Sequence, residues 1–157
     1  MVFGDVEVLD IRDLKSNVPN LTFKQADLMD EKFSLTDYCD SISCLHTIEH
    51  FGLGRYGDKL DVDGHIKGMN NITKCLRKGG VFYFASPIGR QRIVFNAHRV
   101  FGLDYLMDLI QKDYEIKDFS YVDDYGDLIL NPILDTKNIK TSFDLEYGCG
   151  IFELVKK

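Results

Sequence analysis

The sequence predicts an α/β domain built on an open, mostly parallel sheet. Three observations carry that reading. An apolar run, Asp40-Ser-Ile-Ser-Cys-Leu-His46, leads through a polar loop and a stretch of helical apolar spacing to a second apolar run, Val81–Ala85. That strand–loop–helix–strand order is how a chain joins two parallel strands. Two shorter β-rich runs upstream, Val6–Asp10 and Leu21–Asp27, each close on an acid. With 157 residues and 45% apolar composition, the chain is large enough for one compact domain with a single core.

Taken in order, Val6-Glu-Val-Leu-Asp10 reads as a short strand and Leu21-Thr-Phe-Lys-Gln-Ala-Asp27 as the next. Asn17, Pro19 and Asn20 lie between them and favour a loop or a single turn over a full helix. Ser41–His46 reads as a third strand, apolar on both faces as strands of parallel sheets are. From Val62 the spacing Val62, Ile66, Met69, Ile72, Leu76 predicts a helix, with Asp61 and Asp63 available as N-cap and Gly79-Gly80 as its stop. Val81–Ala85 is the strongest strand. Phe101, Leu103, Leu106, Met107 and Ile110 outline a second amphipathic helix. Tyr114–Val122 and Cys149–Val155 read as final strands, the latter as the C-terminal edge, and residues 123–146 are polar and turn-rich.

Bulk properties exclude several function classes. The net charge of −6 and pI near 5.1 argue against a nucleic-acid partner, and Lys and Arg are scattered. No run approaches the ~20 apolar residues of a membrane span. The N-terminus has neither a basic region nor a signal-type apolar core. Cys39, Cys44, Cys75 and Cys149 form no close pair with metal or redox spacing, so reduced thiols in a cytoplasm are expected.

Two polar clusters gather at what would be the carboxyl ends of the strands, the ligand-binding end of such sheets. One holds Glu49, His50, Arg55, Tyr56, Asp58 and His65; the other holds Arg90, Arg92, Asn96, His98 and Arg99. His50 and His98 suit proton transfer near neutral pH, with Glu49 as helper, and Arg55, Arg90 and Arg99 suit an anionic substrate. Asp10, or Asp13 beside it, could accept the hydroxyl protons of a ribose, and Asp27 could face an adenine amino group. Strand-ending aspartates are also common simply because Asp favours turns.

Two further patterns fail on context. His46-Thr-Ile-Glu49-His50 matches the H-x-x-E-H pattern of inverted-zinc peptidases, but that pattern requires a helix, and here it follows a strand-like run and precedes Gly52 and Gly54. No third ligand is identifiable, so no metal site is expected. Gly52-Leu-Gly54-Arg-Tyr-Gly57 spells a dinucleotide fingerprint, yet no helix opens directly after it and no acid lies about 20 residues on.

The tracts Val8-Leu-Asp10-Ile-Arg12, Gln25-Ala-Asp27-Leu-Met-Asp30, Cys44–Asp58 and Phe95-Asn-Ala-His98-Arg99-Val-Phe101 resemble an uncharacterised methyltransferase-like family of unknown function, bacterial with nematode relatives. More diffusely, the strand order resembles class I S-adenosylmethionine (SAM) dependent methyltransferases. That resemblance implies a Rossmann-like, mostly parallel sheet, with SAM as cofactor, Asp10 at its ribose, Asp27 at its adenine and the backbone at Leu45 and His46 beside its methionine part. Those folds place a first strand and a glycine-rich turn ahead of the strand corresponding to Val6–Asp10, and only Met1–Asp5 precede it here. The expectation is therefore a sheet lacking its first strand, with unpaired edges that a homo-oligomer would cover. The function expected is methyl transfer to an oxygen or nitrogen of a small polar substrate such as a sugar. The alternatives are a binding or assembly domain that has lost SAM and, more remotely, a zinc hydrolase using the HTIEH segment.

Overall fold

The structure is a computed structural model and describes residues 4–157; Met1, Val2 and Phe3 lie outside the described residues. Strand β1 (Val6–Asp10) pairs in parallel with β2 (Leu21–Gln25), Val6 opposite Leu21 and Asp10 opposite Gln25. The connection between them carries no helix, as Pro19 and the two asparagines predict, and Asn20 turns at φ 62°. Strand β3 (Cys39–Leu45) pairs in parallel with β4 (Leu76–Ile88), and helix α1 (Gly64–Cys75) makes the crossover. A short hairpin follows, β5 (Arg92–Val94) and β6 (His98–Val100), then helix α2 (Leu103–Ile110). Strand β7 (Tyr114–Val122), strand β8 (Leu128–Leu130), helix α3 (Thr136–Thr141) and strand β9 (Gly148–Lys156) complete the chain.

The main sheet has the order β3-β4-β9-β7-β8, parallel at β3–β4 and antiparallel at its other three pairings. The expected α/β class holds. Among the described residues β1 pairs only with β2 and β3 only with β4. The β1–β2 ribbon is thus not hydrogen-bonded into the main sheet, which is the arrangement of a sheet with no strand between β1 and β3.

The core forms where β4 passes between its neighbours. Phe82, Phe84 and Ile88 are wholly buried, and an aromatic ladder runs Phe82–Phe84–Phe152–Phe119 across β4, β9 and β7 with ring centroids 5.5, 5.6 and 4.8 Å apart. Met69 and Ile72 of α1, and Leu103, Leu106, Met107 and Ile110 of α2, join the same core. Each buried side chain of this size contributes about 1.5–3 kcal/mol relative to exposure.

Three sequence expectations are corrected. Val62 lies outside α1 and is 81% exposed; the buried face of the helix begins at Gly64 and runs through Gly68, Met69, Ile72 and Cys75. Gly79-Gly80 is not the helix stop: α1 ends at Cys75 and the chain is already extended at Leu76. The two glycines instead lie inside β4, where the pairing with β3 shifts register between Cys39 and Ser41; Gly79 has φ +77° and a Cβ on Gly80 would meet the Asp40 carbonyl at 2.9 Å. Finally, β9 is interior, lying between β4 and β7, and residues 123–146 supply β8 and α3.

Candidate functional site

The segments leaving β1, β2 and β3 line one cavity of about 260 Å³. Asp10, Ile11 and Arg12 come from the end of β1, Ala26–Met29 from the end of β2, and His46, Thr47, His50, Phe51, Tyr56 and Asp58 from the segment after β3. The sequence-predicted residues Asp10, Asp27, His46 and His50 therefore do meet around one space.

Asp10 closes β1 and is held by a residue that the sequence reading left out. Arg12 binds it with two parallel bonds: Nε donates to Oδ1 at 2.9 Å and the terminal guanidinium nitrogen to Oδ2 at 2.8 Å. The Arg12 backbone N–H adds a third at 2.9 Å. The guanidinium hydrogen bond holds the Asp10 carboxyl below the usual carboxylate range, against the opposing effect of burial. Asp27 lies two residues beyond β2, where Oδ1 accepts the Met29 N–H at 2.8 Å and Oδ2 has no hydrogen bond from the described residues.

Below this cavity lies the most buried carboxylate of the site. Glu49 is only 1% exposed and sits in the short 3-10 turn Ile48–His50. Its Oε1 is 3.2 Å from His46 Nδ1 and 3.9 Å from His50 Nε2, while Oε2 has no hydrogen-bond partner. Burial pushes the Glu49 carboxyl above its ordinary value; its own backbone N–H and the two imidazoles act in the opposite direction. The His-x-x-Glu-His segment thus stands at a strand end and a 3-10 turn, not on an α-helix. Its two imidazoles flank a carboxylate instead of sharing a helix face, as the failed context of that pattern anticipates.

His50 Nδ1 lies 2.8 Å from the Ala97 carbonyl, an acceptor only, so Nδ1 carries a proton and, in the neutral ring, the lone pair is on Nε2. His98 stands edge-on to His50, ring centroids 6.0 Å apart, and is absent from the cavity wall. Its Nε2 is buried without a partner, and burial, then the charge of His50, lowers its pKa.

The three arginines separate. Arg55 caps the Ala97 carbonyl at 3.1 Å and leans over the Tyr56 ring. Arg90 is exposed on the turn after β4. Arg99 is corrected: only 5% exposed, it donates to the carbonyls of Glu49, Phe51 and Val62 and so serves as a strut between the 3-10 turn and the approach to α1, out of reach of a substrate. His65 is likewise a core residue. Its Nε2 is 2.6 Å from the Tyr105 hydroxyl, and burial, with Arg99 beside it, pushes its pKa down to about 4.

The glycine-rich tract proves to hold an internal anion. Gly52, Gly54 and Gly57 all have positive φ, and a Cβ on Gly52 would fall 1.9 Å from the Asp61 carbonyl oxygen. The loop curls so that the N–H groups of Gly52 and Gly54 donate to Asp58 Oδ2 at 2.9 and 3.1 Å, and that of Tyr56 to Oδ1 at 3.1 Å. Burial opposes ionisation of Asp58, yet these bonds outweigh it and hold its carboxyl below the ordinary range. The amides that a phosphate would need are already used.

A family model described as "Caenorhabditis protein of unknown function, DUF268" matches residues 4–142. The chain belongs to that family. No curated protein matched the sequence as a relative. Among solved structures, the chain is similar to the MccD protein (TM-score 0.63, 13% identity, 98% of this chain and 80% of that one). It also resembles the Burkholderia thailandensis 1,6-didemethyltoxoflavin-N1-methyltransferase with bound 1,6-didemethyltoxoflavin and S-adenosylhomocysteine (0.63, 12%, 98% and 61%). A third neighbour is the N-methyltransferase NodS from Bradyrhizobium japonicum in complex with S-adenosylhomocysteine (0.57, 12%, 96% and 65%). The chain spans less than two thirds of the length of the latter two. At these identities the likeness establishes the fold, a class I methyltransferase-like α/β sheet. Among the described residues no helix is long and apolar enough to cross a membrane.

Proposed function

We propose that this domain transfers a methyl group from S-adenosylmethionine to an oxygen or nitrogen of a small polar substrate such as a sugar. The observation that carries this reading is that two strand-end carboxylates, Asp10 and Asp27, face the same cavity as His46 and His50. The residues fit the adenosyl portion of such a ligand. Asp10 would accept from the ribose hydroxyls and Asp27 from the adenine amino group, with the apolar walls Leu9, Ile11 and Leu28 beside the base. S-Adenosylmethionine, when bound, supplies an electrophilic methyl carbon. His50 Nε2, with its lone pair free, accepts the proton of the acceptor group, and Glu49 at 3.9 Å stabilises the imidazolium that results. His98 keeps a second neutral imidazole beside it, and Arg55, whose guanidinium lies over the Tyr56 ring of the cavity wall, is the arginine available to an anionic substrate, whereas Arg90 is not among the lining residues. Alignment of acceptor and donor supplies the larger part of the acceleration.

Calorimetry of S-adenosylhomocysteine binding tests this directly. Micromolar binding is expected, weakened about 10- to 100-fold in Asp10→Ala, the equivalent of losing hydrogen bonds to a charged group. A folded protein that binds no adenosyl ligand would refute it.

A second reading, a binding or assembly domain without a methyl donor, is favoured by two specific observations. Arg12 already occupies both oxygens of Asp10, and among the described residues no glycine lines the cavity. The same titration separates the two.

A further inference from the structure

His46 joins two groups that lie far apart in sequence. Its Nδ1 is 3.2 Å from Glu49 Oε1, and its Nε2 is 3.2 Å from the Sγ of Cys149, 103 residues later on β9. A carboxylate accepts only, so the imidazole donates from Nδ1 and turns the lone pair of Nε2 toward the thiol. His46 adopts φ +51°, a left-handed conformation that non-glycine residues seldom take, and such outliers gather at functional sites. Glu49 is buried with Oε2 unpartnered, the His46 side chain is 51% exposed and Cys149 is half-buried, so the three groups run from the interior carboxylate out to a solvent-facing imidazole.

We propose that Cys149, His46 and Glu49 form a thiol–imidazole–carboxylate relay that makes Cys149 a nucleophile toward activated acyl groups, esters or thioesters. Nucleophile, base and orienting group stand in the mutual order that covalent catalysis requires. Cys149 Sγ bonds to the acyl carbon as His46 Nε2 takes the thiol proton, the bond to the alkoxide or thiolate leaving group breaks, and His46 returns the proton to that group. Water then cleaves the acyl-enzyme and restores the thiol. Burial, then the nearby Glu49 charge, raises the pKa of Cys149, so the thiol rests protonated and needs a base at the moment of attack. Glu49 acts through His46 as a positioning residue. This inference uses no adenosyl ligand and stands or falls apart from the methyl-transfer reading.

The test is acylation of the whole chain by p-nitrophenyl acetate, followed by nitrophenolate release and by peptide mass spectrometry. Cys39 is the internal reference: also half-buried, it has the Cys75 carbonyl 3.8 Å away and no imidazole among its hydrogen-bond partners. Cys149 is expected to acylate about 10²-fold faster than Cys39, and His46→Gln to remove that advantage while Cys39 is unchanged. Glu49→Gln keeps the shape and is expected to move the midpoint of the Cys149 pH–rate profile to lower pH, since the thiol loses the nearby charge that helps to raise its pKa. Near-UV circular dichroism checks each variant for folding. Equal rates at Cys149 and Cys39 in the unaltered protein would overturn the proposal without reference to any variant, as would an unchanged rate in folded His46→Gln.

Discussion

Replacing Asp58 by Asn probes the loop that forms one wall of the cavity. The carboxylate accepts three backbone N–H groups, two on Oδ2 and one on Oδ1, at 2.9–3.1 Å. An amide retains one oxygen. In its better orientation it keeps Gly52 and Gly54 and turns its own NH₂ against the Tyr56 N–H. One bond to a charged acceptor, about 1.5–3 kcal/mol, is therefore lost and two are reduced to neutral strength. With a discount for partial exposure, the net cost at pH 7 is about 2–3 kcal/mol, or a melting temperature lower by roughly 4–12 °C for a domain of this size. The pH dependence gives a second check. The folded carboxyl titrates below its unfolded value of about 3.9, so its stabilisation is complete above that value and disappears as pH falls through the folded pKa. Urea denaturation of both proteins from pH 7 into acid should show a constant gap that closes only below about pH 4. Equal stability at pH 7, or a gap that survives full protonation, would refute the account of an internally ligated loop.

Two further outcomes follow from buried groups. Arg99→Met keeps the length of the side chain but strands the carbonyls of Glu49, Phe51 and Val62, and is expected to cost about 3–5 kcal/mol in chemical denaturation. His65 is neutral in the fold with a pKa of about 4 against about 6.5 when unfolded, so its stabilisation is present above pH 6.5 and lost as pH falls from there to 4. The loss is on the order of 3 kcal/mol, and His65→Gln should flatten the stability profile over that window.

The elements that were legible in the sequence are those with strong local signals. β1, β2, β3, α1, α2 and β7 follow from apolar periodicity, and Asp10, Asp27 and His50 followed from their place after strands. Gly79-Gly80 misled because a glycine pair that usually ends helices can equally relieve a register shift inside a strand, where only the partner strand shows the need for it. Arg99 looked like a substrate ligand because exposure is not written locally; its three carbonyl partners come from the turn after β3 and the loop before α1. Arg12 stands two residues from Asp10, but nothing local sets it apart from any other surface arginine as that residue's partner. Cys149 carried no signal at all, since its neighbour His46 lies on another strand's end and nothing in either segment points to the other.

The Asp58 loop has a thermodynamic corollary. Because the loop carries its own counter-anion, the amides of Gly52, Gly54 and Tyr56 are satisfied whether or not anything fills the cavity, and the curl they impose does not depend on occupancy. A ligand that settles against this wall therefore incurs no entropic penalty for ordering it, and a larger share of its contact energy remains as affinity. The same arrangement closes the amides of Gly52, Gly54 and Tyr56 to inorganic phosphate and sulfate, so an anion that enters the cavity must be met by side chains such as Arg12 instead of by this loop's backbone.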